Sequence, residues 1–453
     1  MLNKNRRMML KALAVGAINI FHLSNRSYAG VSKMIPVAGD KNKKLVFAHY
    51  MTGKGTRRRK QTVEDWKNDI LDAMSYGIDG WQFNFGHFRG RFQRNVETFI
   101  EALEDLGEPA SDFLFFPSFD CNRKRKPDIK EINTWFLNYY NHPNHFRLNN
   151  LPLLTVWQAR RVGNDYFQNV KEILSKSGMP ISFVPWLATK ANYRQMKRLF
   201  DDWSSMDGFF PWVPGKSADL AVRYNEIAAK LCREQNKTLI GGQGFNMLHI
   251  NKAPIYVNKH AAEAISTQMN PFVNGDISDC RILNIATWND FGEDHHITPF
   301  PPYIPKRGKH PVWCHIGYAT RLKDYLDWWK SAAKPIIDED TLCIFHLSQM
   351  AMEGDPPFPI HKYKPDRALD IVYVSALLTA PATITVISGS NKPIHFDALE
   401  GISHWRAPSA PGRQHFQLAR DKKIIINRYS GREISSPPVY PWSWSHYSEV
   451  IRA

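Results

Sequence analysis

The sequence predicts an α/β protein: a (β/α)8 TIM barrel over residues 30–339, followed by a small antiparallel β-sandwich over residues 340–453. Two patterns predict this fold. Between about residues 45 and 290, eight short apolar segments alternate with amphipathic helical segments, which is the element count of such a barrel. After residue 340, short β-branched segments separated by Gly and Pro are typical of an antiparallel sandwich.

The barrel strands are predicted from runs that are apolar throughout, as expected of parallel strands buried on both faces. In chain order they are residues 45–51, 80–86, 112–120, 151–158, 181–188, 207–213, 238–244 and 281–290. A doubly wound open sheet is the alternative fold. The sequence argues against it, because the first strand is not followed by a Gly-rich phosphate loop.

The helices are predicted from apolar residues at helical spacing. In residues 62–77 these are Val63, Trp66, Ile70 and Met74, and Gly77 is a natural stop. Residues 95–107 repeat the pattern, and a long helix at 317–331 ends the barrel. The strands of the C-terminal domain are predicted at residues 370–378, 382–389, 415–420 and 423–429.

Residues 1–29 have the features of an export signal: a basic start, an apolar segment and Ser-Tyr-Ala before Gly30. The pair Arg6–Arg7, followed by Leu10 and Lys11, resembles the twin-arginine signal. We therefore expect a periplasmic or extracellular protein, with a general secretory signal or an N-terminal anchor as alternatives. No other stretch approaches the ~20 apolar residues of a membrane span, so none is expected in the mature chain.

Basic residues cluster after the first four predicted strands of a chain with 59 Lys and Arg, 43 Asp and Glu and a net charge of +16. The clusters are Lys54 with residues 57–60, then Arg89, Arg91 and Arg94, residues 123–126, and Arg160 with Arg161. In a barrel all four loops lie on one face, where focused positive charge favours an anionic polymer. Solvated loops of a generally basic protein are the alternative.

Polar side chains and Trp recur where the predicted strands end, which is where barrels carry their chemistry. From these ends we predict a substrate-binding pocket lined by His49, Asn84, Asp120, Gln158, Trp186, Trp212 and Gln243. The last strand runs into "ATWNDFGEDHH" (286–296), which adds Asp290 and Glu293 as catalytic candidates and His295 and His296 as binding candidates. A pocket also disfavours nucleic acid, which stacks on open aromatic platforms.

Two carboxylates beside Trp rings suit glycoside hydrolysis, in which one acid protonates the leaving oxygen and the other activates water or attacks the sugar. The sequence contains neither a G-x-S-x-G elbow nor an H-E-x-x-H helix. A metal held by Asp290, Glu293, His295 and His296 is disfavoured, because adjacent His side chains normally point in different directions. The five widely spaced cysteines give no Cys-x-x-Cys metal site and no disulfide framework. We expect no metal and no cofactor.

Four segments together resemble glycoside hydrolase family 71: "FAHYMTG" (47–53), residues 65–86, "FFPSFD" (115–120) and "ATWNDFGEDHHI" (286–297). The resemblance extends to residues 370–386 and implies a polysaccharide hydrolase of α-1,3-glucanase type, inverting, with Asp290 and Glu293 as the catalytic pair. We assign Glu293 as general acid and Asp290 as general base, although the sequence does not order the two. Asp79 also matches a family aspartate, but its place at the amino end of a strand favours a structural role.

Three departures from the family pattern leave the substrate open. The family typically continues with Ser-His-Tyr where this chain has Asp294-His295-His296. Residues 241–247 lack the expected aromatic stretch, and the fourth strand ends in "WQARR". The alternatives are a non-catalytic glycan-binding or polysaccharide-processing protein and a family 99-type endo-glycosidase. Linkage, sugar identity, endo or exo action and oligomeric state stay undetermined.

Overall fold

In the computed structural model, eight parallel strands, each followed by a helix, form a curled sheet, and eight antiparallel strands follow it. The structure describes residues 43–58, 60–121, 126–245, 261–300, 312–350, 370–436 and 446–453. The predicted export signal and the basic residues Arg59 and 123–125 lie outside these ranges. Within them, no helix is long and apolar enough to span a membrane.

Eight βα units are present in the described residues. They are β1 (Leu45–Met51), α1 (Val63–Ser75), β2 (Gly80–Phe85), α2 (Arg91–Leu106), β3 (Leu114–Asp120), α3 (Ile129–Tyr139), β4 (Leu151–Trp157), α4 (Asn164–Lys176), β5 (Ser182–Pro185), α5 (Tyr193–Asp202), β6 (Gly208–Phe209), α6 (Ala218–Glu234), β7 (Thr238–Gln243), α7 (Ala261–Val273), β8 (Ile282–Ile285) and α8 (Ile316–Ser331). A two-residue strand, Arg147–Leu148, pairs antiparallel with the start of β4.

The sheet order is β5-β4-β3-β2-β1-β8-β7-β6, and every neighbouring pair among these eight is parallel. Two backbone hydrogen bonds link the segments at its two edges: Asp207 N–H donates to the Phe183 carbonyl at 2.8 Å, and Phe210 N–H to the Pro185 carbonyl at 3.4 Å. Since all neighbouring strands are parallel, the carboxyl ends of all eight lie on the same side of the sheet.

Asp79 holds the opposite, amino-terminal side of the sheet together. Its carboxylate accepts a hydrogen bond from Val46 N–H at 2.7 Å and forms an ion pair with Lys330 at 2.6 Å. The sequence analysis favours a structural role for Asp79, and these two contacts agree with that role.

A polar layer crosses the concave side of the sheet just below the strand ends. Gln82 Oε1 accepts hydrogen bonds from His49 Nδ1 at 2.8 Å and from Asn284 Nδ2 at 2.7 Å, while Gln82 Nε2 donates to Thr155 Oγ1 at 2.9 Å. All four side chains are buried. Because each makes a directional bond to another strand, the layer fixes how β1, β2, β4 and β8 face one another.

The C-terminal strands are β9 (Thr341–Leu347), β10 (Ile371–Leu378), β11 (Ala382–Ser388), β12 (Ile394–Ala398), β13 (Gly401–Pro408), β14 (Gln414–Arg420), β15 (Lys423–Tyr429) and β16 (His446–Arg452). They form two four-stranded antiparallel sheets, ordered β13-β10-β9-β16 and β12-β11-β14-β15. Residues of both sheets, among them Leu342, Val374, Ile384 and Phe416, share one apolar core. Alternate residues of β9 and β10, such as Phe345 and Tyr373, join the core of the parallel sheet instead.

Helix α8 packs closely against β16 and so connects the two parts of the chain. Gly317 N–H donates to Ser448 Oγ at 3.0 Å, and a Cβ on Gly317 would lie 2.9 Å from Ser448 Cβ. Both parts belong to one compact unit, residues 37–453. The predicted boundary at residue 339 stays a prediction.

Candidate active site

The loop after β8 is fastened to the end of β1. Trp288 N–H donates to the His49 carbonyl at 2.9 Å, and Met51 N–H donates to Asn289 Oδ1 at 2.6 Å. Thr287 Oγ1 accepts from Asp290 N–H at 2.9 Å. The turn forms because the Thr287 and Asn289 side chains supply hydrogen bonds that a strand no longer provides, and it presents Asp290 above the sheet.

The following residues alternate in direction. Asp294 has a left-handed backbone (φ 51°), a conformation that Asp tolerates better than most residues. His295 then returns to the sheet, where its carbonyl accepts a hydrogen bond from Thr287 N–H at 3.0 Å. As a result Glu293 and His295 lie beside Asp290, whereas Asp294 and His296 lie on the other side of the loop.

His295 connects the two candidate catalytic carboxylates. Its Nε2 lies 3.3 Å from Glu293 Oε2 and 3.7 Å from Asp290 Oδ2. Lys54, from the loop after β1, binds Asp290 Oδ1. The side chain of Asp290 is 10% exposed and that of Glu293 is 32% exposed, so Glu293 is the carboxylate that faces solvent.

The surroundings fix the charge of Asp290 and His295. Burial alone would raise the pKa of Asp290, but the Lys54 ammonium and the His295 imidazole outweigh it and hold that pKa well below its usual range. Burial would lower the pKa of His295, but the neighbouring carboxylates of Asp290 and Glu293 raise it to about 9. At neutral pH the site therefore contains an ionised Asp290 and a cationic His295.

His49 is neutral beside them. Burial lowers its pKa to about 4. An amide oxygen only accepts, so the bond to Gln82 Oε1 places the proton on Nδ1 and leaves Nε2 unprotonated. The polar layer thus decides which tautomer of His49 the site contains.

Three Trp rings extend the site from the histidines. The ring centroid of Trp212 lies 4.7 Å from that of His49, 6.2 Å from that of His295 and 5.9 Å from that of Trp157. The Trp157 and Trp186 centroids are 5.0 Å apart. Flat apolar faces next to paired carboxylates can hold a ring-shaped polar molecule against the reacting groups.

Comparison with known proteins gives the family. The model of glycosyl hydrolase family 71 matches residues 42–447, which is most of the chain. The chain belongs to glycosyl hydrolase family 71.

Two curated relatives of this family 71 chain match over nearly their whole length. A mutanase from Penicillium rubens is 24% identical over 416 residues, covering 88% of this chain and 86% of the relative. The glucan endo-1,3-alpha-glucosidase agn1 from Schizosaccharomyces pombe is 23% identical over 432 residues, covering 90% and 95%. A solved family 99 endo-alpha-mannosidase from Bacteroides thetaiotaomicron matches with a TM-score of 0.49 and 10% identity, covering 64% of this chain and 98% of that one.

The structure brings most of the predicted site residues of this family 71 chain together. Asp290, Glu293, His295, His49, Trp186 and Trp212 form the connected group described above. Asn84 follows Gln82 on the same face of β2, and Asp120 is in register with Trp157, so both face the concave side. Gln158 directly follows β4 in a left-handed conformation (φ 56°), with its Oε1 buried.

Two of the predicted residues lie elsewhere. Gln243 alternates with Gly242 and so shares its face with Gly241, where a Cβ would meet Phe272 of α7; it therefore points away from the concave side. His296 is fully buried behind the loop, where its Nε2 contacts the Trp313 carbonyl at 3.0 Å. Neither residue belongs to the group around Asp290.

Sequence reasoning missed Lys54 as a site residue. Lys54 stood among the basic residues after the first strand, but its distance from Asp290 along the chain gave no sign of their contact. Trp157 is the last residue of β4, and its position at a strand end already marked it as a pocket candidate in the sequence.

Several residues of the basic clusters form ion pairs with carboxylates. Arg57 contacts Asp72 and lies 3.4 Å from Asp69, Arg58 lies 2.6 Å from Asp65, and Arg89 lies 3.4 Å from Glu131. These pairs reduce the free positive charge that the sequence alone suggested.

Asp290, Glu293 and His295 each offer one donor atom, and the three atoms lie within 4.8 Å of one another. A metal ion would have to compete with the Lys54 ammonium for Asp290 and with a proton for His295. The positive charge that this trio attracts is already supplied by the chain.

Proposed function

We propose that this glycoside hydrolase is an exported, endo-acting enzyme that cleaves α-1,3-glucan. The observation that carries the proposal is the meeting of Asp290 and Glu293, in unlike environments, beside a row of Trp rings at the carboxyl ends of the strands. The names of both curated relatives, a mutanase and a glucan endo-1,3-alpha-glucosidase, support the substrate. We further infer that the curled sheet closes between β5 and β6 into a (β/α)8 barrel, which the strand order and the two edge hydrogen bonds support.

The two carboxylates take different roles because their surroundings differ. Asp290 is held ionised, so it cannot donate a proton but can accept one from water. Glu293 faces solvent, from which it can be reprotonated between turnovers. In the reaction Glu293 donates its proton to the glycosidic oxygen as that bond to the anomeric carbon breaks. Water forms the new bond to this carbon and gives its proton to Asp290.

Inversion, implied by the family resemblance, requires Glu293 to move. One oxygen of each carboxylate lies within 4.8 Å of the other, whereas inverting enzymes keep their carboxyl groups roughly 6.5–9.5 Å apart to admit water. A substrate that turns the Glu293 side chain away from His295 makes that room. Proton NMR of the first-formed product tests this step: inversion gives the β-anomer first, and retention gives the α-anomer.

We propose His49, Asn84, Asp120, Gln158, Trp157, Trp186 and Trp212 as the residues that hold the sugar. Trp157 Nε1 and Gln158 Oε1 are buried without a hydrogen-bond partner among the described residues. Buried polar atoms are normally satisfied, so a donor and an acceptor without partners beside the Trp rings support a polar ligand there.

The deciding experiment is the release of reducing ends from α-1,3-glucan by the wild type and by Asp290→Asn and Glu293→Gln. Each variant should lose about 10²- to 10⁴-fold in kcat, the usual contribution of a proton-transferring group. Glu172→Gln, on helix α4, is the matched control. Endo action should release a broad range of oligosaccharides early in the reaction. Undiminished hydrolysis by both variants would remove the catalytic assignment.

An anionic polysaccharide is the second candidate substrate, supported by the basic residues after β1 and β2. We expect carboxymethylated α-1,3-glucan to be cleaved with a lower KM than the neutral polymer at low salt, and this advantage to fade at 0.5 M salt as charges are screened. Equal KM values at both salt concentrations would restrict the enzyme to neutral glucan.

Export by the twin-arginine route is also a proposal and rests on Arg6 and Arg7. Replacing both by Lys should leave the unprocessed protein in the cytoplasm of a bacterial host. Normal export of that variant would point to the general secretory route instead.

A further inference from the structure

The C-terminal domain contacts the catalytic loop, which is the turn at residues 286–297 after β8, through His446. Asp294 is fully buried, and its Oδ2 accepts hydrogen bonds from the His446 backbone N–H at 2.9 Å and from His446 Nδ1 at 2.7 Å. His446 is the first residue of β16, the last strand of the chain. A strand of the antiparallel sheet therefore anchors the turn that carries Glu293 and His295.

Two further histidines complete this cluster. His315, just before α8, contacts the His296 carbonyl through Nδ1 at 2.6 Å and the His446 carbonyl through Nε2 at 3.0 Å. Its Nε2 also lies 3.6 Å from Asp294 Oδ1. The cluster thus joins the catalytic loop, the start of α8 and β16.

Ring geometry argues against a metal ion in this cluster, although Asp294, His296 and His315 each place a donor atom within 4.8 Å of the others. The His296 and His315 rings are stacked, with centroids 3.9 Å apart and planes 8° from parallel. Imidazole lone pairs lie in the ring plane, so those of stacked rings run side by side. An ion at the roughly 2.1 Å bond length of zinc cannot lie in both planes. The cluster is a hydrogen-bonded connection.

The cluster holds Asp294, the residue whose backbone determines where the side chains of its two neighbours point. Asp294 lies between Glu293 and His295 and has the left-handed backbone that turns both of them toward Asp290. Its two bonds to His446 hold that conformation. Asp294 and His296, both members of the cluster, are also the two positions where this chain departs from the Ser-His-Tyr pattern typical of the family.

We propose that His446 is a positioning residue for catalysis: by anchoring Asp294, it holds Glu293 and His295 in place, and the last strand of the C-terminal domain is thereby part of the active enzyme. This inference rests on the proposed function of Glu293. It assigns the C-terminal domain a role in kcat rather than in substrate capture.

The test compares His446→Ala with His446→Asn, whose side-chain amide donates from about the position of Nδ1. We expect kcat on α-1,3-glucan to fall about 10- to 100-fold in the Ala variant, the usual effect of a misplaced catalytic group, while KM stays within about twofold. The Asn variant should recover most of the loss. Asp294→Gly, which permits the same left-handed backbone but removes the oxygen that accepts both hydrogen bonds from His446, should lose kcat in the same way and serves if His446→Ala does not fold.

The matched control is His346→Asn. His346 is likewise a buried histidine of the C-terminal domain, but its ring contacts the Leu347 carbonyl at 2.8 Å and Ser430 Oγ at 3.2 Å instead of the loop. This variant should lower the melting temperature and leave kcat unchanged. Equal losses of kcat in His346→Asn and His446→Ala would mean general destabilisation and would overturn the inference.

A second readout does not need activity. The NMR titration of the His295 imidazole should give a pKa near 9 in the wild type and a clearly lower one in His446→Ala, because His295 loses its contacts with the two carboxylates. Unchanged titration together with unchanged kcat would overturn the inference. A wild type that cleaves no glucan would remove the proposed function, while the titration would still decide the positioning role.

Discussion

Lys54 decides the charge of the site by a single contact. Asp290 is buried, and burial favours the neutral acid; the contact with the Lys54 ammonium is the largest influence against it. The same contact occupies Asp290 Oδ1, and Asp290 Oδ2 faces His295. Lys54 therefore keeps Asp290 available as a base at low pH.

Replacing Lys54 with Met should raise the pKa of Asp290, since burial would no longer be opposed by the ammonium. The acid limb of the kcat/KM profile should move upward by at least about one pH unit, because each pH unit corresponds to only about 1.4 kcal/mol of lost interaction. The alkaline limb should move less. Lys60→Met, at an exposed lysine of the same loop, is the control, and an acid limb that stays in place in Lys54→Met would contradict this role.

Site residues could be predicted from the sequence when their partners are close to them along the chain. Asp290 and Glu293 are three residues apart in one turn, so their spacing was enough. Gln243 was misplaced because the face of a strand residue depends on register, which the sequence does not show. The rule that adjacent histidines point apart was used against a metal site, and it also separates His295 from His296. Lys54 and His446 reach the loop from distant segments, and no local pattern reveals such contacts.

Four strands of the parallel sheet were predicted closely. β1 spans the predicted residues 45–51, and β2, β4 and β7 differ from prediction by one residue at one end. β9, β12, β13 and β16 were missed. The last three mix polar and apolar residues, as in Ile394–Ala398, where His395 and Asp397 are exposed. Strands with one solvated face give a weaker signal than strands buried on both.

The contact between α8 and β16 depends on Gly317. Gly→Ala inside a helix normally stabilises by up to about 1 kcal/mol. Here the new Cβ would lie 2.9 Å from Ser448 Cβ, so Gly317→Ala should instead destabilise by about 1–3 kcal/mol, as overpacking does. Chemical denaturation measures the change in the free energy of unfolding.

The double variant Gly317→Ala with Ser448→Gly separates crowding from other causes. Removing the Ser448 side chain removes the atoms that the new methyl would meet, so the double variant should be more stable than the sum of the two single changes. If the two single changes in the free energy of unfolding simply add, the Gly317 position of α8 is not crowded by Ser448 of β16.

Buried neutral histidines should make the whole protein sensitive to acid. Burial lowers the pKa of His49, His142, His346 and His404 to about 4 and that of His145 to about 3. Below pH 6.5 the unfolded chain takes up protons at these sites and the folded chain does not. Each fully buried one therefore costs on the order of 3 kcal/mol of stability as the pH falls from 6.5 to its folded pKa.

Two groups act in the opposite sense. The pKa of His295 is raised to about 9, so its contribution is complete below pH 6.5 and is lost as the pH rises through 9. The pKa of Asp69 is raised to about 6, chiefly by burial, so its contribution is present below its ordinary pKa and is lost as the pH rises through 6. Five histidines outweigh them in acid, and the melting temperature should be highest near pH 6.5–8 and fall steeply toward pH 4.5.

His145→Phe tests whether the histidines cause that fall. His145 stacks on Phe115 with planes 2° apart, and its Nδ1 contacts the Tyr139 carbonyl at 2.9 Å. Phe keeps the stacking and loses the hydrogen bond, so the variant should melt at a lower temperature at pH 7. Having no ring proton to gain, it should show a smaller drop between pH 7 and pH 4.5 than the wild type. A drop as large as that of the wild type would assign the acid sensitivity to carboxylates rather than to the buried histidines.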